Sequence, residues 1–413
     1  MRTILIFDMS YTLTMFDELG NQMALESRRL GGYFGTVISV HPLAFLHEST
    51  PRFGPPEITL LANGDFFLSG KRGRYELLRF FPLLNFLISQ IQLLSLILRL
   101  CKRLNVSVVR IGDPYYLGLW GILISKIKKV PLVIRVCANY DEIVRVSGRA
   151  VMPRLFRFRK IEKIIERFVF PRCSLIAGAN QDNLNYAVAN GGSGRPAAIF
   201  RYGNLLDPAH WRPPDARQDA GQTLLELGLS KRRFIVTIAR LEKVKRIDHV
   251  LRVVDVLSER GVDMFALIIG DGSERHYLES LAEKLKIANR IKLVGARSQE
   301  WIARVLPLAC VVAAPHMGRA LAEAALASLP LVAYDFDWQR ELVRDGINGF
   351  LIRDGEVLEM AEKISLIFSD PQMAKVMGER SREIASKMMD SNLLELHERQ
   401  VYSNLLENWN LTK

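Results

Sequence analysis

A short segment that follows an apolar run has the residues of an anion-binding turn. The run 309–314 stops at Pro315, the chain turns at Gly318, and an alanine- and leucine-rich helix follows with Glu323 in its second turn. The N-terminus of such a helix presents unpaired backbone N–H groups and the positive end of the helix dipole. The pattern predicts a phosphate site beside a carboxylate that accepts hydrogen bonds from hydroxyl groups. An ordinary strand-to-helix turn with a solvated glutamate explains the same residues equally well.

Two cations follow another strand-like run. Residues 234–238 are typical of a buried strand, and Arg240 and Lys245 come shortly after it. Open α/β sheets bind ligands at the carboxyl ends of their strands, where fixed cations stabilise the charge of a leaving diphosphate. Glycine turns end two further strand-like runs, at Gly270, Gly272 and Gly295.

Residues 234–346 resemble the donor-binding half of the retaining family-4 glycosyltransferases, which have the GT-B fold. Four motifs of that family occur here in the same order. They are G-R-L-x-x-x-K as Ala239-Arg240-Leu241 with Lys245, G-x-G as Gly270 and Gly272, the F-x-G turn as Leu293-Val294-Gly295, and the E-x7-E region with Gly318 and Glu323. The resemblance is specific for residues 230–390 and weak before residue 200.

The resemblance implies a nucleotide-sugar donor, of UDP or GDP type, and gives each motif a role. The diphosphate would lie on the N–H groups of residues 318–321, Glu323 would hold the ribose, and no cofactor or metal would be required because cationic side chains replace a divalent ion. The implied catalytic residues are Arg240, Lys245 and Glu323. The implied donor-binding residues are Gly270, Gly272, Leu293, Val294, Gly295, His316, Gly318, Arg319, Ala320, Leu321 and Glu323.

One position departs from the family pattern. The first glutamate of E-x7-E, which contacts the transferred sugar in the family, is Pro315 here. The sequence therefore supports nucleotide binding, whereas the usual hydrogen bond to the hexose is missing. His316 lies at the same turn and is a candidate to replace that hydrogen bond, although a single histidine is more often structural.

The acceptor side carries a weaker signal. The strand-like run 130–137 ends in a polar cluster where the family has a V-H-G-type turn, but Cys137 and Ala138 replace the histidine and the glycine. Asn139, Tyr140 and Asp141 are candidate acceptor contacts by position alone. Capping of the strand end explains these three residues equally well.

Length and composition indicate two globular domains. The 413 residues, 49% of them hydrophobic, suffice for two cores. Four cysteines without C-x-x-C spacing argue against a metal site or a disulfide framework, and they favour a reducing compartment. The first apolar run is short and is interrupted by Asp8, so it does not predict a signal peptide.

The positive charge is concentrated in the first half of the chain. Residues 1–230 contain 29 basic and 18 acidic residues, whereas the remainder contains 27 and 26. Apolar residues interleave with the basic ones between residues 145 and 172, including Arg154, Arg157, Lys160 and Arg167, which predicts one basic amphipathic helix that binds an anionic membrane surface. A solvated helix face is the alternative. Nucleic acid is not an expected partner, because no recognition module accompanies the charge.

Strand-like and helical stretches alternate along the first half, which predicts a parallel sheet with helices on both faces. Strands are expected at 2–8, 35–40, 106–111, 132–137 and 174–178. The uncharged stretch 80–98 is nearly long enough to span a bilayer, but Asn85, Ser89, Gln92, Ser95 and Arg99 form a polar stripe. We expect a helix that packs on the sheet or dips into the membrane interface rather than a membrane span.

The resulting fold prediction is α/β, GT-B, with two Rossmann-like parallel-sheet domains that face each other across a cleft. We expect residues 1–222 to form the acceptor-side domain, 223–390 the donor domain, and 391–413 a helix that returns to the first domain. The proline-rich, polar segment 207–222 is the expected linker.

The predicted function is metal-independent, retaining transfer of a hexosyl-type sugar to a glycan or lipid-linked acceptor. Cell-surface polysaccharide assembly, at the cytoplasmic face of the membrane as a peripheral protein, is the expected setting. A nucleotide-sugar 2-epimerase of the same fold is one alternative, and a catalytically inactive nucleotide-sugar-binding membrane scaffold is another. A dehydrogenase is disfavoured, because no G-x-G-x-x-G follows the first strand.

Overall fold

The computed structural model describes residues 2–9, 12–14, 22–46, 52–153, 155–202, 206–214, 220–230 and 232–411. The chain divides into two compact units. The first unit is Met1–Leu205 together with Ser391–Lys413, and the second unit is Leu206–Asp390.

The first unit alternates strands with helices. Its strands are β1 Thr3–Phe7, β2 Thr36–His41, β3 Glu57–Leu60, β4 Phe66–Ser69, β5 Val106–Ile111, β6 Leu132–Val136, β7 Leu175–Gly178 and β8 Ala197–Ile199. Its helices before residue 205 are α1 Gln22–Glu26, α2 Pro82–Arg103, α3 Tyr116–Lys128, α4 Tyr140–Ser147, α5 Arg159–Val169 and α6 Gln181–Ala187.

The strands of the first unit form one sheet in the order β3-β4-β2-β1-β5-β6-β7-β8. All neighbouring strands are parallel except β3 and β4, which form an antiparallel pair. The predicted strands are present to within two residues at each end, because each is a short apolar run that is buried on both faces of a parallel sheet. The sequence prediction missed β3, β4 and β8.

The second unit repeats this alternation. Its strands are β9 Phe234–Ile238, β10 Phe265–Ile269, β11 Ile291–Leu293, β12 Val311–Ala314, β13 Leu331–Tyr334 and β14 Gly349–Ile352. Its helices are α7 Ala220–Glu226, α8 Ile247–Glu259, α9 Arg275–Lys284, α10 Gln299–Val305, α11 Ala320–Leu326, α12 Gln339–Leu342, α13 Val357–Ser369 and α14 Pro371–Met388.

The second sheet is all parallel and has the order β11-β10-β9-β12-β13-β14. Counted along the chain, this is the 3-2-1-4-5-6 order of a Rossmann fold. The short helix Pro208–Trp211, which lies in the expected linker, packs on this unit. His210 Nε2 lies 2.8 Å from Gln299 Oε1, and Arg382 donates to the carbonyl of Trp211 at 2.8 Å.

The last helix, α15 Ser391–Leu411, belongs to the first unit. Tyr402 is fully buried, and its ring lies 5.2 Å from Phe34 and 5.6 Å from Phe200 between centroids. Glu398 is also buried and lies 3.4 Å from Arg110 on β5. The predicted return of this helix to the first domain follows from these contacts.

The prediction of a single basic helix between residues 145 and 172 is wrong. The structure has two helices there, α4 and α5, because Gly148 adopts a left-handed conformation (φ 67°) and ends α4 as its C-cap. The described residues of the connection, 149–153 and 155–158, have no helical structure, and Arg154 lies outside the described residues.

We expect Tyr402→Ala to destabilise the first unit by about 3–5 kcal/mol, since it leaves a cavity between α15 and the sheet. Hydrogen–deuterium exchange, read separately for each unit, measures the effect. Leu411→Ala, at an exposed position of the same helix, is the matched control and should change little. An equal loss of protection in residues 206–390 would contradict the assignment of α15 to the first unit.

Candidate functional site

The candidate site lies where the strand order of the second sheet reverses. β9 and β12 are adjacent parallel strands, and the connections that leave their carboxyl ends run to opposite sides of the sheet. Ligands of open α/β sheets bind in the crevice at such a switch point. The segment 239–246 follows β9 and the segment 315–319 follows β12, so the topology brings the two predicted motifs together.

A buried glutamine holds the turn after β12. Gln339, which is fully buried, accepts a hydrogen bond from the N–H of Met317 at 2.8 Å. Its amide nitrogen lies 3.1 Å from the carbonyl of Ala314 and 3.3 Å from that of Pro315. Trp338 donates from its indole to the carbonyl of Met317 at 3.1 Å. Four backbone groups of this turn are thereby satisfied from one side, which fixes where the following helix begins.

Helix α11 begins with open backbone donors. In the described part of the chain no acceptor lies within hydrogen-bond distance of the N–H groups of Gly318, Arg319 and Ala320. The N–H of Leu321 differs, because it donates to the carbonyl of Gly318 at 3.0 Å. A Cβ built on Gly318 meets nothing within 4 Å, so the space above the turn is open. Three of the four predicted amides are therefore available to an anion.

Glu323 lies in the first turn of α11 rather than in the second, because the helix starts at Ala320. Its side chain is buried, with Oε1 at 3.4 Å from Arg319 Nε and Oε2 at 3.8 Å from His210 Nε2. Among the described residues the basic side chains recorded beside this carboxylate are Arg319 and His210 rather than Arg240 or Lys245. The carboxylate is thus oriented mainly by Arg319, one helical turn before it.

Arg240 and Lys245 lie in the connection that follows β9, and Arg240 is exposed. Lys245 is half-buried in the short helix Lys243–Lys245. Burial lowers the pKa of Lys245 to about 8, the carboxylate of Asp337 opposes this shift, and repulsion from Arg240 adds to it. The two cations and Asp337 therefore share one electrostatic environment. A bound anion would restore the full charge of the lysine.

His316 connects the two halves of the site. Its Nδ1 lies 3.0 Å from the carbonyl of Val244, the residue before Lys245, and its Nε2 lies 3.4 Å from the Asp337 carboxylate. Its ring also packs edge-on against Phe336 at 4.7 Å. Both ring nitrogens are thus engaged, and the side chain fixes the Lys245 segment against the turn after β12.

The glycines after β10 and β11 bring backbone segments into contact. A Cβ on Gly270, which has φ 140°, would lie 1.9 Å from the carbonyl oxygen of Ala239, and one on Gly272 would lie 2.5 Å from that of Leu241. Gly295 accepts a hydrogen bond from the N–H of Gly270 at 2.9 Å. These glycines hold the segment after β9 in place.

The predicted base-binding turn is backbone-rich. The carbonyl of Leu293 lies 3.3 Å from Arg275 Nη2, and Val294 donates to the carbonyl of Ile268 at 3.1 Å. Leu293, Val294 and Gly295 are all half-buried at the edge of the sheet. A role in binding a base stays a prediction for these three residues.

Sequence reasoning missed the segment after β13. Asp337 has a left-handed backbone (φ 53°), which is uncommon outside glycine and points to a functional or tightly held position. Asp335 and Asp337 have the D-x-D spacing of metal-binding motifs, which the sequence interpretation overlooked. Asp335 pairs with Arg340 at 2.9 Å, and no group of three or more His, Cys, Asp or Glu that could hold a metal occurs among the described residues. The signal that would have found this segment is its position after the strand next to β12.

The candidate acceptor residues have structural partners. Asn139 caps α4 by accepting from the N–H of Glu142, and it donates to Asp182 at 3.0 Å. Tyr140 packs against Tyr115 at 5.2 Å, and burial raises its pKa well above the usual value. Asp141 lies 2.7 Å from Arg159 and 2.5 Å from Lys163. The structure thus supplies the capping explanation for this cluster, and acceptor contact stays a prediction.

A second polar cluster in the first unit also escaped sequence reasoning. Asp8 follows β1 and pairs with Arg28 at 2.5 Å, and His41 ends β2. Asp113 follows β5, is buried, and accepts from the N–H of Tyr115 at 2.7 Å. Burial raises the pKa of Asp113 to about 7, and it lowers the pKa of His41 to about 3. Polar residues directly after neighbouring parallel strands were the available signal.

Comparison with known proteins relates the second unit to a family of enzymes. The family model described as "Glycosyl transferases group 1" matches residues 226–384, which include every predicted donor-side residue. An alpha-D-kanosaminyltransferase of Streptomyces kanamyceticus is 27% identical over 158 residues, 37% of this chain and 41% of that relative. A poly(ribitol-phosphate) alpha-N-acetylglucosaminyltransferase of Staphylococcus aureus is 23% identical over 167 residues, 40% of this chain and 34% of the relative. The matched part of the chain thus spans less than half the length of either relative.

The fold is similar along almost the entire chain to a solved structure. HepE of Anabaena, crystallised in complex with UDP, superposes with a TM-score of 0.69 at 17% identity, over 98% of this chain and 100% of that one. At this identity the likeness shows the fold, which is GT-B with two Rossmann-like sheets. Residues 226–384, the part that matches the model of the group 1 glycosyl transferases, lie within the second unit.

Proposed function

We propose that the protein is a retaining glycosyltransferase that moves a hexosyl-type sugar from a nucleotide sugar to a glycan or lipid-linked acceptor, in the assembly of cell-surface polysaccharide. The observation that carries the proposal is the switch point of the second sheet, where Arg240 and Lys245 follow β9 and three open amides follow the adjacent strand β12. A diphosphate is the group that this arrangement complements. The names of the relatives support the reaction class.

The residues divide the work of transfer between binding and charge stabilisation. The amides of Gly318, Arg319 and Ala320 donate hydrogen bonds to the diphosphate at the N-terminus of α11. Arg240 and Lys245 stabilise the negative charge that develops on the leaving group, as preorganised donors do at an oxyanion. Glu323, held by Arg319 and His210, accepts hydrogen bonds from the ribose. No divalent ion is required for these steps.

Retention follows from attack on the face that the leaving group departs from. The bond between the anomeric carbon and the diphosphate oxygen breaks, and its electron pair stays on that oxygen. The acceptor hydroxyl oxygen forms the new bond to the same carbon on the same face. Its proton passes to the departing phosphate oxygen, so no protein nucleophile takes part.

A thermal-shift screen with UDP, GDP, ADP and CMP tests the donor class directly, because a ligand that binds only the folded protein raises its stability in proportion to the logarithm of concentration. We favour a UDP or GDP donor. Nucleotide sugars that contain the nucleotide found to bind are then supplied to the protein, and the release of nucleoside diphosphate is measured. Binding without transfer or hydrolysis would favour the inactive scaffold, and a changed C2 configuration of the donor would favour an epimerase.

Lys245→Ala should lower transfer by about 100-fold, because it removes one stabiliser of the leaving charge. The pKa of about 8 adds a pH test: as pH rises through that value the amine loses its proton, and the affinity for nucleoside diphosphate should fall. Lys245→Arg keeps its charge and should flatten this fall. Calorimetric titration at a series of pH values measures both effects.

Lys243→Ala, at an exposed position of the same short helix, is the matched control and should leave the affinity unchanged. Identical pH profiles for the native protein and Lys245→Arg would show that this lysine does not contact the diphosphate.

His316→Ala should lower the affinity for the free nucleoside diphosphate and for the intact nucleotide sugar by the same factor. We expect about 3- to 10-fold for one lost hydrogen bond. The reason is that His316 holds the Lys245 segment through the carbonyl of Val244. If His316 instead contacts the sugar, in place of the glutamate that Pro315 replaces, the substitution would lower the affinity for the nucleotide sugar only. Competitive binding of the two ligands to the variant and to the native protein separates these outcomes.

We also propose that the first unit attaches peripherally to an anionic membrane, at its cytoplasmic face. Helix α5 has the exposure that this requires. Its two carboxylates, Glu162 and Glu166, are fully buried, and both pair with Arg159. Glu166 also accepts a hydrogen bond from the hydroxyl of Tyr115 at 2.6 Å. The opposite face exposes apolar and basic side chains. These are Phe158, Ile161, Ile164, Phe168, Arg157, Lys160 and Arg167.

Charge reversal by Arg157→Glu with Lys160→Glu should weaken binding to anionic vesicles by at least about 30-fold, since each basic residue near the surface contributes about 1 kcal/mol. Sedimentation with vesicles at rising salt measures this. Lys284→Glu with Lys375→Glu, at exposed positions of the second unit, is the control. Equal partitioning of the native protein onto neutral and anionic vesicles would contradict the electrostatic part of the attachment.

A further inference from the structure

Helix α2 is oriented with polar side chains inward. Asn85 is buried, and its carbonyl oxygen accepts from the N–H groups of Arg74 at 2.6 Å and Tyr75 at 3.0 Å. Ser89 donates to the carbonyl of Lys71 at 2.9 Å, and Gln90 accepts from the hydroxyl of Tyr116 at 2.8 Å. The polar residues of the first three turns thus bind the helix to its own unit, and Leu83, Leu84, Leu87 and Ile91 of these turns are exposed.

The outward side forms a continuous apolar surface. It begins in the short helix Glu76–Phe80, where Leu77 is 92% exposed and Phe80 is 75% exposed, and it continues along α2. We name this surface the apolar ridge and define it as Leu77, Phe80, Phe81, Leu83, Leu84, Leu87 and Ile91. Seven large exposed side chains make a patch on the order of several hundred Å², more than an isolated soluble protein usually leaves uncovered.

A membrane span is a poor explanation of the ridge. α2 is long and apolar enough to cross a bilayer, by length and composition alone. However, Leu93, Ile97, Leu100 and Cys101 lie in the core of the first unit, and Asn85 is fixed by the hydrogen bonds given above. Crossing a bilayer would break these contacts. The helix is instead fixed on the sheet with one face exposed.

Basic side chains border the ridge. Arg52, Arg72 and Arg79 are exposed beside it, and the guanidinium of Arg79 lies 4.9 Å from the ring centroid of Phe80. Apolar side chains between cations match the layered chemistry of an anionic bilayer, with apolar groups below the headgroup level and basic groups at it. A symmetric contact between two copies of this chain would bring the same arginines close to one another, which costs free energy.

The ridge also borders the segment that precedes α5, the helix whose exposed face we propose to bind a membrane. A cavity of about 460 Å³ is lined by Phe45, Pro82, Leu83 and Phe86 from the ridge side, by Leu155 from the segment before α5, and by Arg52 and Arg72. Leu83 and Leu155 therefore border the same cavity. A partner that covers this cavity therefore contacts both the ridge and the segment that precedes α5.

From this geometry we infer that the apolar ridge inserts into the interfacial layer of an anionic phospholipid bilayer, with Arg52, Arg72 and Arg79 at the level of the lipid phosphates. The inference rests on the proposed membrane attachment, and it adds the element that enters the hydrocarbon boundary. The attachment then has two parts, one electrostatic and dependent on salt, and one apolar and resistant to salt.

The test uses the full chain and vesicles of phosphatidylcholine with or without phosphatidylglycerol. A ridge variant combines Leu84→Ser, Leu87→Ser and Ile91→Ser, at exposed positions that the fold does not need. A matched control combines Leu358→Ser, Leu366→Ser and Val376→Ser, which are exposed apolar positions of the second unit. At high salt the affinity of the ridge variant for the vesicles should fall by roughly 100-fold or more, because the three apolar side chains that the native protein transfers from water into the bilayer are missing. The control should bind like the native protein.

A second measurement separates insertion from adsorption. Leu87→Trp should gain fluorescence that is quenched by lipids brominated in their acyl chains, and Leu358→Trp should not. Native-like binding by the ridge variant at high salt, or an unquenched Leu87→Trp, overturns the inference. A ridge variant that dissociates a dimer in solution without any change in vesicle binding also overturns it, in favour of a second copy.

The vesicle experiments also distinguish failure of the ridge inference from failure of the proposed membrane attachment. If the Arg157→Glu with Lys160→Glu variant loses binding and the ridge variant does not, only the ridge inference fails. If the native protein binds no vesicle, the membrane attachment and the ridge inference fail together. Release of nucleoside diphosphate from the donor in the absence of vesicles, with water as the acceptor, is independent of both and tests the donor site alone.

Discussion

The amide side chain of Gln339 sets the geometry on which the candidate site depends. It is fully buried and hydrogen-bonds to backbone groups of Ala314, Pro315 and Met317 at the end of β12, and to the carbonyl of Tyr334 at the end of β13. A buried backbone group without a partner costs about 1–3 kcal/mol, so this side chain makes one conformation of the turn much more stable than the others. This conformation of the turn fixes the direction of the open amides at the start of α11.

A second constraint connects the two sides of the switch point. His316, at the turn held by Gln339, lies against the carbonyl of Val244 and the carboxylate of Asp337. Lys245 is thereby held half-buried near Arg240, which is why its pKa falls to about 8. Holding a cation in a site that disfavours its charge costs free energy in the unliganded protein. An anionic ligand recovers that cost when it binds, so the arrangement favours a ligand with high negative charge over a neutral sugar.

Most of the second unit could be predicted from sequence, and parts of the first could not. Residues 234–238 and 265–269 are short apolar runs with a glycine or a cation after them, a pattern that fits a buried parallel strand and a functional edge. In α2 the same kind of reasoning stopped earlier. The spacing of Asn85 and Ser89 indicated one polar stripe but not its partner, and in the structure these side chains satisfy backbone groups of residues 71–75 and face inward. Periodicity identifies a helix face, whereas the partner of that face depends on tertiary contacts.

Pro315 shows where sequence reasoning about the site reaches its limit. The sequence identifies the missing glutamate, but the structure explains why proline suits the position: its carbonyl is bound by Gln339, and its missing N–H removes one donor that the turn would otherwise have to satisfy. The turn is therefore rigid at the end where a sugar would lie and rich in donors at the end where a diphosphate would lie. In the function that we propose, charge recognition would be concentrated on the nucleotide part of the donor. Selection of the sugar must then depend on shape and on neutral hydrogen bonds, which discriminate strongly only when a buried polar partner is left unpaired by the wrong ligand.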